Sequence, residues 1–138
     1  MMNKRWLFLI LAFVMIAFNN MSANIAQDAI QKPEPKVIRP NIEGKDYCRI
    51  LGGPPESIVM RSGMVLLQPN KTVGKHNTEV YEELVIVLKG LGEMVLSDGK
   101  KLELKEGNLL YCPPHTEHDV KNTGSLPLQY IYVVARAK

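Results

Sequence analysis

The sequence predicts an all-β domain, a sandwich or a barrel, preceded by an N-terminal segment of different character. After the first quarter of the 138-residue chain, no stretch shows a sustained helical period. Short apolar or alternating runs instead recur at spacings of about 8 to 12 residues, as expected for antiparallel strands. Turn residues separate these runs, and Asp98-Gly99 is a strong hairpin signal.

Turn signals divide the domain into short predicted strands. Pro69 and Asn70 end the longest run, and Gly90 and Gly107 separate later runs from one another. The predicted strands span residues 46–51, 57–68 with a kink at Gly63, 83–88, 91–96, 101–104, 108–111, 119–122 and 128–135.

The N-terminal segment has the pattern of a secretory signal peptide. Lys4 and Arg5 precede an almost wholly apolar run over residues 6–18, and small or polar residues follow, with Ala23 and Ala26 as cleavage points. The apolar run is shorter than the roughly 18 to 20 residues that a membrane-spanning helix needs, and an uncleaved membrane anchor is the alternative. We therefore expect residues 1–26 to be a signal peptide and the mature protein to be periplasmic or secreted.

The mature chain divides into an arm and one domain. Residues 27–45 are rich in proline and charge, which indicates an extended arm or linker, and residues 46–138 form the β domain. Cleavage of the signal takes away Lys4 and Arg5, so the mature chain is close to neutral. No basic cluster indicates nucleic-acid binding, and we expect membrane contact only through the signal segment.

The chain has two cysteines, Cys48 and Cys112. Export makes a disulfide between them one interpretation. In the alternative, both are buried apolar residues, or Cys112 lines a cavity. A nucleophilic Cys112 served by His76 or His118 would need a lowered thiol pKa, which the sequence does not indicate.

A stretch near the C-terminus carries the most specific pattern in the chain. Gly107 opens it, Pro113 begins a Pro-Pro corner, and His118 and Asn122 lie on one face of the segment that follows. This spacing resembles the second motif of the cupin family, G-x5-P-x-G-x2-H-x3-N. His115 stands where the family has its second glycine.

An earlier stretch resembles the first cupin motif, G-x5-H-x-H, then three or four residues, then E-x6-G. His76 takes the first histidine, Glu83 the glutamate and Gly90 the closing glycine. Thr78 stands where the second histidine belongs, and Gly74 lies too close to His76 to be the opening glycine. The resemblance covers residues 58–135.

The resemblance implies a jelly-roll barrel, or double-stranded β-helix, whose mouth holds a divalent transition metal. By resemblance the metal ligands are His76, Glu83 and His118, and Thr78 leaves three protein ligands instead of four. Such a set suits Fe, Mn, Ni, Cu or Zn, and the sequence does not choose among them. Strand parity requires either Glu82 or Glu83 to point inward, and the motif register favours Glu83.

Other polar residues near the motifs are candidates for proton transfer in an enzyme: His115, Glu82 and a tyrosine. The plainer alternatives are structural. His115 would then be a surface turn residue and Glu82 a solvent-facing side chain. Tyr130 and Tyr132, which share one face of the last strand, would be core residues rather than substrate contacts.

Two functions are therefore open. One is a metal-dependent oxygenase, isomerase or lyase that acts on a small molecule; the other is a non-catalytic module that holds a sugar-like or apolar ligand beside a degenerate metal site. The fold does not choose between them. We also expect a homodimer, with residues 37–41 of the arm contributing, because many cupins are dimers and such sheets leave an edge or outer face to cover.

Overall fold

A computed structural model describes residues 32–138, which form strands, turns and loops. The strands in chain order are β1 (Tyr47–Gly52), β2 (Arg61–Leu67), β3 (His76–Asn77), β4 (Tyr81–Lys89), β5 (Leu91–Leu96), β6 (Lys101–Lys105), β7 (Leu109–Cys112), β8 (Glu117–Asn122) and β9 (Leu128–Arg136). The all-β prediction is confirmed. Within the described residues, no helix is long and apolar enough to span a membrane. The predicted signal peptide lies outside them.

The strands form two antiparallel sheets. The five-stranded sheet has the order β1-β2-β9-β4-β7, and the four-stranded sheet has the order β3-β8-β5-β6. The chain passes repeatedly from one sheet to the other, because only β1-β2 and β5-β6 are consecutive strands that pair. This is the jelly roll that the motif resemblance implies.

The hydrophobic core lies between the inner faces of the two sheets. Val85 and Val87 of β4 are buried together with Met94 of β5, Leu104 of β6 and Leu128 of β9. Alternate residues of β4 are buried, as expected for a strand with one face on a core. Each such side chain stabilises the fold by about 1.5 to 3 kcal/mol on burial.

Asn122, which closes the second motif, bonds three backbone groups with its side chain. Its side chain is buried, and its Nδ2 donates to the carbonyls of Leu67 (2.7 Å) and Leu126 (2.9 Å). Its Oδ1 accepts a hydrogen bond from the amide of Gly124 (2.8 Å). A single asparagine thus satisfies backbone groups at the end of β2 and in the β8-β9 connection.

One predicted strand, over residues 57–68, is wrong in its first part. Regular pairing begins at Arg61, and the turn over residues 54–56 is followed by bends and irregular chain over residues 57–60. The Glu56 carboxylate accepts a hydrogen bond from the amide of Gly52 (2.7 Å), and Ser57 donates its amide to the carbonyl of Gly53 (3.1 Å). These local bonds close a loop where apolar residues alone favoured a strand. The two-residue strand β3 was not predicted.

The cysteines do not form the disulfide that export would allow. Cys48 and Cys112 are both free thiols. They lie on β1 and β7, which are the opposite edges of the five-stranded sheet. Four strand spacings amount to about 19 Å, well beyond the roughly 7 Å limit between bridged Cα atoms. Cys112 is instead buried in the core, one of the alternatives that the sequence left open.

Part of the predicted arm, residues 32–45, is described and contains no strand. Lys45 donates its amide to the carbonyl of Ile42 (3.0 Å), which closes a turn. Lys36 Nζ donates to the carbonyl of Glu56 (3.3 Å). The division into signal peptide, arm and domain stays a prediction, as does the homodimer.

Candidate metal centre

Three side chains from neighbouring strands converge at one end of the barrel. His76 of β3 lies directly opposite His118 of β8, and Glu83 comes from β4 of the other sheet. Their ligand-capable atoms all lie within 4.8 Å of one another. The structure thus brings together the three residues predicted as metal ligands.

His118 has one ring nitrogen bonded and the other free. Its side chain is 1% exposed, and its Nδ1 lies 3.2 Å from the carbonyl of Thr116 and 3.6 Å from Cys112 Sγ. Since a carbonyl only accepts, Nδ1 carries the proton, and the neutral ring keeps its lone pair on Nε2. That Nε2 is buried, lies 3.4 Å from Glu83 Oε2 and has no hydrogen-bond partner among the described residues.

His76 is held in the same manner at the mouth of the barrel. Its Nδ1 lies 2.9 Å from the carbonyl of Gly74, so this nitrogen too is the donor and Nε2 is free to ligate. The rings of His76 and His118 have centroids 4.3 Å apart and planes 61° apart. Carbonyl partners of this kind fix the tautomer of metal-binding histidines in many proteins.

Strand alternation separates the two glutamates. Glu83 is buried on the inner face of β4, whereas Glu82 is exposed on the other face. The hydroxyl of Tyr111 donates to Glu82 Oε2 across the outer surface (3.2 Å). Of the two carboxylates, Glu83 is therefore the one that faces the histidines.

Thr78, which replaces the second motif histidine, uses its hydroxyl for the backbone. Its Oγ1 donates to the carbonyl of Pro113 (2.8 Å) and accepts from the amide of Thr116 (2.9 Å). Both hydrogen-bonding directions are thus occupied, and the side chain is buried. Thr78 holds the Pro-Pro corner against β3 and is not part of the His-Glu-His group.

His115 lies in an exposed turn, and its backbone conformation explains why the family motif has glycine at this position. Its φ is 59°, in the left-handed region that glycine adopts without strain. The amide of His115 donates to the carbonyl of Glu79 (2.7 Å), which holds the turn against the start of β4. Its imidazole belongs to neither the His-Glu-His group nor the adjoining cavity wall.

Burial and the carboxylates set the protonation of the site. Burial lowers the pKa of His118. The hydrogen bond that a protonated Nε2 would donate to Glu83, the bond to the Thr116 carbonyl and the charges of Glu83 and Asp119 outweigh burial and raise the pKa above 6.5. Burial also raises the pKa of the Cys112 thiol. A nucleophilic Cys112 would need the opposite shift, so the structure argues against that alternative.

A cavity of about 410 Å³ adjoins His76 and Glu83, two of the three residues. His76, Glu83 and Thr78 line one part of it, and Tyr130 and Tyr132 line another, so the two tyrosines are cavity residues as well as core residues. Further wall residues that sequence reasoning missed are Tyr47, Arg61 and Tyr81. Their place depends on strand pairing across the sheet, for which the sequence carries no local signal.

Asp119 fixes the loop that presents His76. Its Oδ1 accepts hydrogen bonds from the hydroxyl of Thr72 and from the amide of Gly74 (2.9 Å). Gly74 in turn supplies the carbonyl that holds His76 Nδ1. Asp119 is therefore a positioning residue, which acts on His76 through one peptide unit.

Residues 63–134 match the family model described as the cupin domain, and this range includes every residue of the His-Glu-His group. The chain belongs to the cupin family. The double-sheet topology and the placement of the two cupin motifs on β3-β4 and on β7-β8 agree with this assignment.

Other cupins and related proteins resemble the chain to different extents. It is 34% identical over 96 residues to an uncharacterized protein of Methanocaldococcus jannaschii, covering 70% of this chain and 66% of that protein. It is 33% identical over 69 residues to the oxalate-binding protein of Thermotoga maritima, covering 49% of this chain and 55% of that protein. The chain thus spans between about half and two thirds of the length of the curated relatives it matches.

A solved cupin shows the same fold. The cupin 2 conserved barrel domain protein of Salinispora arenicola superimposes with a TM-score of 0.64 over 75% of this chain and 92% of its own. Its sequence is 22% identical, so this likeness concerns the fold alone.

Replacing Asp119 with alanine should weaken metal binding without removing any ligand. The Gly74 amide loses one of its two acceptors and keeps only Thr72 Oγ1 (3.0 Å), whose hydroxyl also loses its partner, so the carbonyl that orients His76 is held less firmly, and we expect a loss of about tenfold in affinity. Competition with a chromophoric chelator measures it. Asp119→Asn retains an acceptor oxygen and should restore most of the affinity, while Asp98→Ala, in the exposed β5-β6 hairpin turn, should change nothing. Equal affinity in wild type and Asp119→Ala would contradict the positioning role.

As pH falls, the apparent metal affinity of this site should begin to decline at a higher pH than it would if His118 had the ordinary histidine pKa. A proton added to His118 occupies Nε2, and the raised pKa keeps that proton bound at pH values above 6.5. We therefore expect the apparent affinity to decline as pH drops through a value above 6.5, by up to about tenfold per pH unit. Chelator competition between about pH 8 and pH 5 tests this. A constant affinity down to about pH 6 would count against it.

Proposed function

We propose that this cupin binds a divalent transition metal through Nε2 of His76, Nε2 of His118 and the carboxylate of Glu83. The observation that carries the proposal is the buried Nε2 of His118, which faces a carboxylate without a hydrogen-bond partner among the described residues. An unpaired buried polar atom costs about 1 to 3 kcal/mol. A metal ion would satisfy it, and both Nδ1 bonds leave the correct nitrogen available.

The donor set fits Fe, Mn, Ni, Cu or Zn, because two imidazoles and one carboxylate leave further coordination positions open. When bound, such a metal would supply Lewis-acid or oxygen-activating chemistry. The chain itself supplies a cavity that shelters a small molecule and phenols that stay protonated, since burial raises the pKa of Tyr130 and Tyr132. These two tyrosines are better placed than His115 or Glu82 to donate to a ligand.

The second candidate is a non-catalytic binding module. The observation that favours it is Thr78, whose hydroxyl is committed to Pro113 and Thr116, so that the fourth family ligand is missing. The name of the Thermotoga relative, an oxalate-binding protein, also fits a role in binding a small molecule. Metal analysis of the mature, tag-free protein separates the two. Near-stoichiometric metal favours the metal centre, and less than about a tenth favours the binding module.

Single substitutions should identify the ligands through matched pairs. His118→Ala and His76→Ala should each remove most of the bound metal, because each removes one of only three protein ligands. Glu83→Gln should weaken binding, whereas Glu82→Gln should not, since Glu82 lies on the outer face.

His115→Gly is the control for the two histidine variants, because it removes an exposed imidazole and suits a φ of 59°. Elemental analysis measures metal per chain, and circular dichroism checks the fold. Unchanged metal in both His76→Ala and His118→Ala would place any metal outside this centre.

We also propose that the protein is exported, on the basis of the basic start, the apolar run and the small residues that follow them. Mass spectrometry of the periplasmic or secreted fraction should find a new N-terminus between residues 23 and 27. An intact Met1 in the membrane fraction would overturn the proposal and support an uncleaved anchor.

A further inference from the structure

The cavity beside the His-Glu-His group combines one permanent positive charge with a largely apolar wall. Among the described residues that line it, Arg61 is the one lysine or arginine. Valines and tyrosines form most of the remaining surface, including Val65, Val134, Tyr81 and Tyr132. A ligand complementary to this cavity therefore has a negatively charged end and an apolar body.

Strand register places Arg61 on the same face as Glu83. Arg61 of β2 lies opposite Val134 of β9, and Val134 lies opposite Glu83 of β4. Residues directly opposite one another in antiparallel strands share a face, so Arg61, Val134 and Glu83 form one row across the cavity side of the sheet. The two charged residues are two strand spacings apart, which is about 10 Å between Cα atoms.

The guanidinium of Arg61 has an aromatic neighbour and no ionic partner. It lies 5.6 Å from the ring centroid of Tyr81, a distance suited to a cation-π contact. No carboxylate within residues 32–138 forms an ion pair with it, whereas Arg49, on the neighbouring strand β1, pairs with Glu56 at 3.1 Å. The planar fork of Arg61 is therefore oriented but still able to bind an external anion.

Gly63 leaves the space that two tyrosine rings of the cavity wall occupy. The hydroxyls of Tyr47 and Tyr132 lie 3.0 Å apart, and both rings lie over Gly63 of β2. A Cβ at Gly63 would come within 2.7 Å of the Tyr47 ring and 2.8 Å of the Tyr132 ring. Tyr130, which also lines the cavity, is 3% exposed.

We propose that this cavity binds an organic carboxylate with an aromatic or aliphatic body, its carboxylate on Arg61 and its body against the tyrosine and valine wall. The inference rests on the proposed small-molecule site and names its ligand class. A carboxylate matches one guanidinium in charge and in bidentate geometry. A phosphate monoester carries close to two charges, and oxalate has no apolar surface to cover the wall.

Binding titrations with simple probes test the ligand class. Benzoate and hexanoate supply a carboxylate on an aromatic or aliphatic body, benzamide lacks the charge, and oxalate lacks the body. Nuclear magnetic resonance titration of the mature protein, as isolated and after chelator treatment, measures each affinity. We expect benzoate or hexanoate to bind in both forms. Benzamide should bind about tenfold more weakly than benzoate, because it loses the charge-assisted bonds. In the chelator-treated form, oxalate should bind more weakly than benzoate.

Arg61→Gln should reduce the affinity for the carboxylate probes by about tenfold or more. Arg49→Gln is the matched control, because it removes the same charge from outside the cavity and should leave the affinity unchanged. The inference is overturned if neither carboxylate probe binds, if Arg61→Gln binds as well as wild type, or if oxalate binds more tightly than benzoate after chelation.

Metal content measured on the same samples keeps this inference separate from the proposed metal centre. If the carboxylate probes bind equally well without Arg61 and the protein contains stoichiometric metal, the proposed ligand class is overturned and the proposed metal centre stands. Arg61-dependent binding in a protein that takes up no metal supports the ligand class and overturns the metal centre.

Discussion

Two backbone carbonyls determine what the site can do, because they hold the Nδ1 atoms of both histidines. The carbonyls of Thr116 and Gly74 accept these protons and leave Nε2 of His118 and Nε2 of His76 as the basic atoms. Glu83 then adds an oxygen donor from the opposite sheet. With the other tautomer, the same three residues would present an N–H to the carboxylate, and the group would form an internal hydrogen bond rather than the proposed ligand set.

Those carbonyls are themselves fixed by side chains outside the His-Glu-His group. Thr78 bonds the amide of Thr116, and Asp119 bonds the amide of Gly74. The substitution of threonine for the family's second histidine thus removes a donor and at the same time anchors the segment that orients His118. A site with three protein donors leaves more positions for water or for a ligand from the cavity, at the expense of affinity.

The fold and the three converging residues could be predicted from the sequence, because they depend on local signals. Glycine and proline turns mark most strand ends, and the motif register, rather than alternation alone, favours Glu83 over Glu82 for the inner face, where the structure has it. What failed depended on tertiary pairing or on local hydrogen bonds. The bond of Glu56 to Gly52 helps to close a loop that includes residues 57–60, which were predicted as strand, and the separation of Cys48 from Cys112 follows only from the strand order. The place of Arg61 in the row with Glu83 likewise needs the register of three strands.

The proposed metal centre depends on which ring nitrogen carries the proton in each of the two histidines. Long-range proton-nitrogen NMR spectra of the metal-free protein, recorded above the pKa of His118, distinguish the ring nitrogens. We expect protonated Nδ1 and bare Nε2 in both His118 and His76, and a shift of both Nε2 resonances when one equivalent of zinc is added. Protonated Nε2 in His118, or Nε2 resonances that do not respond to zinc, would contradict the proposed metal centre.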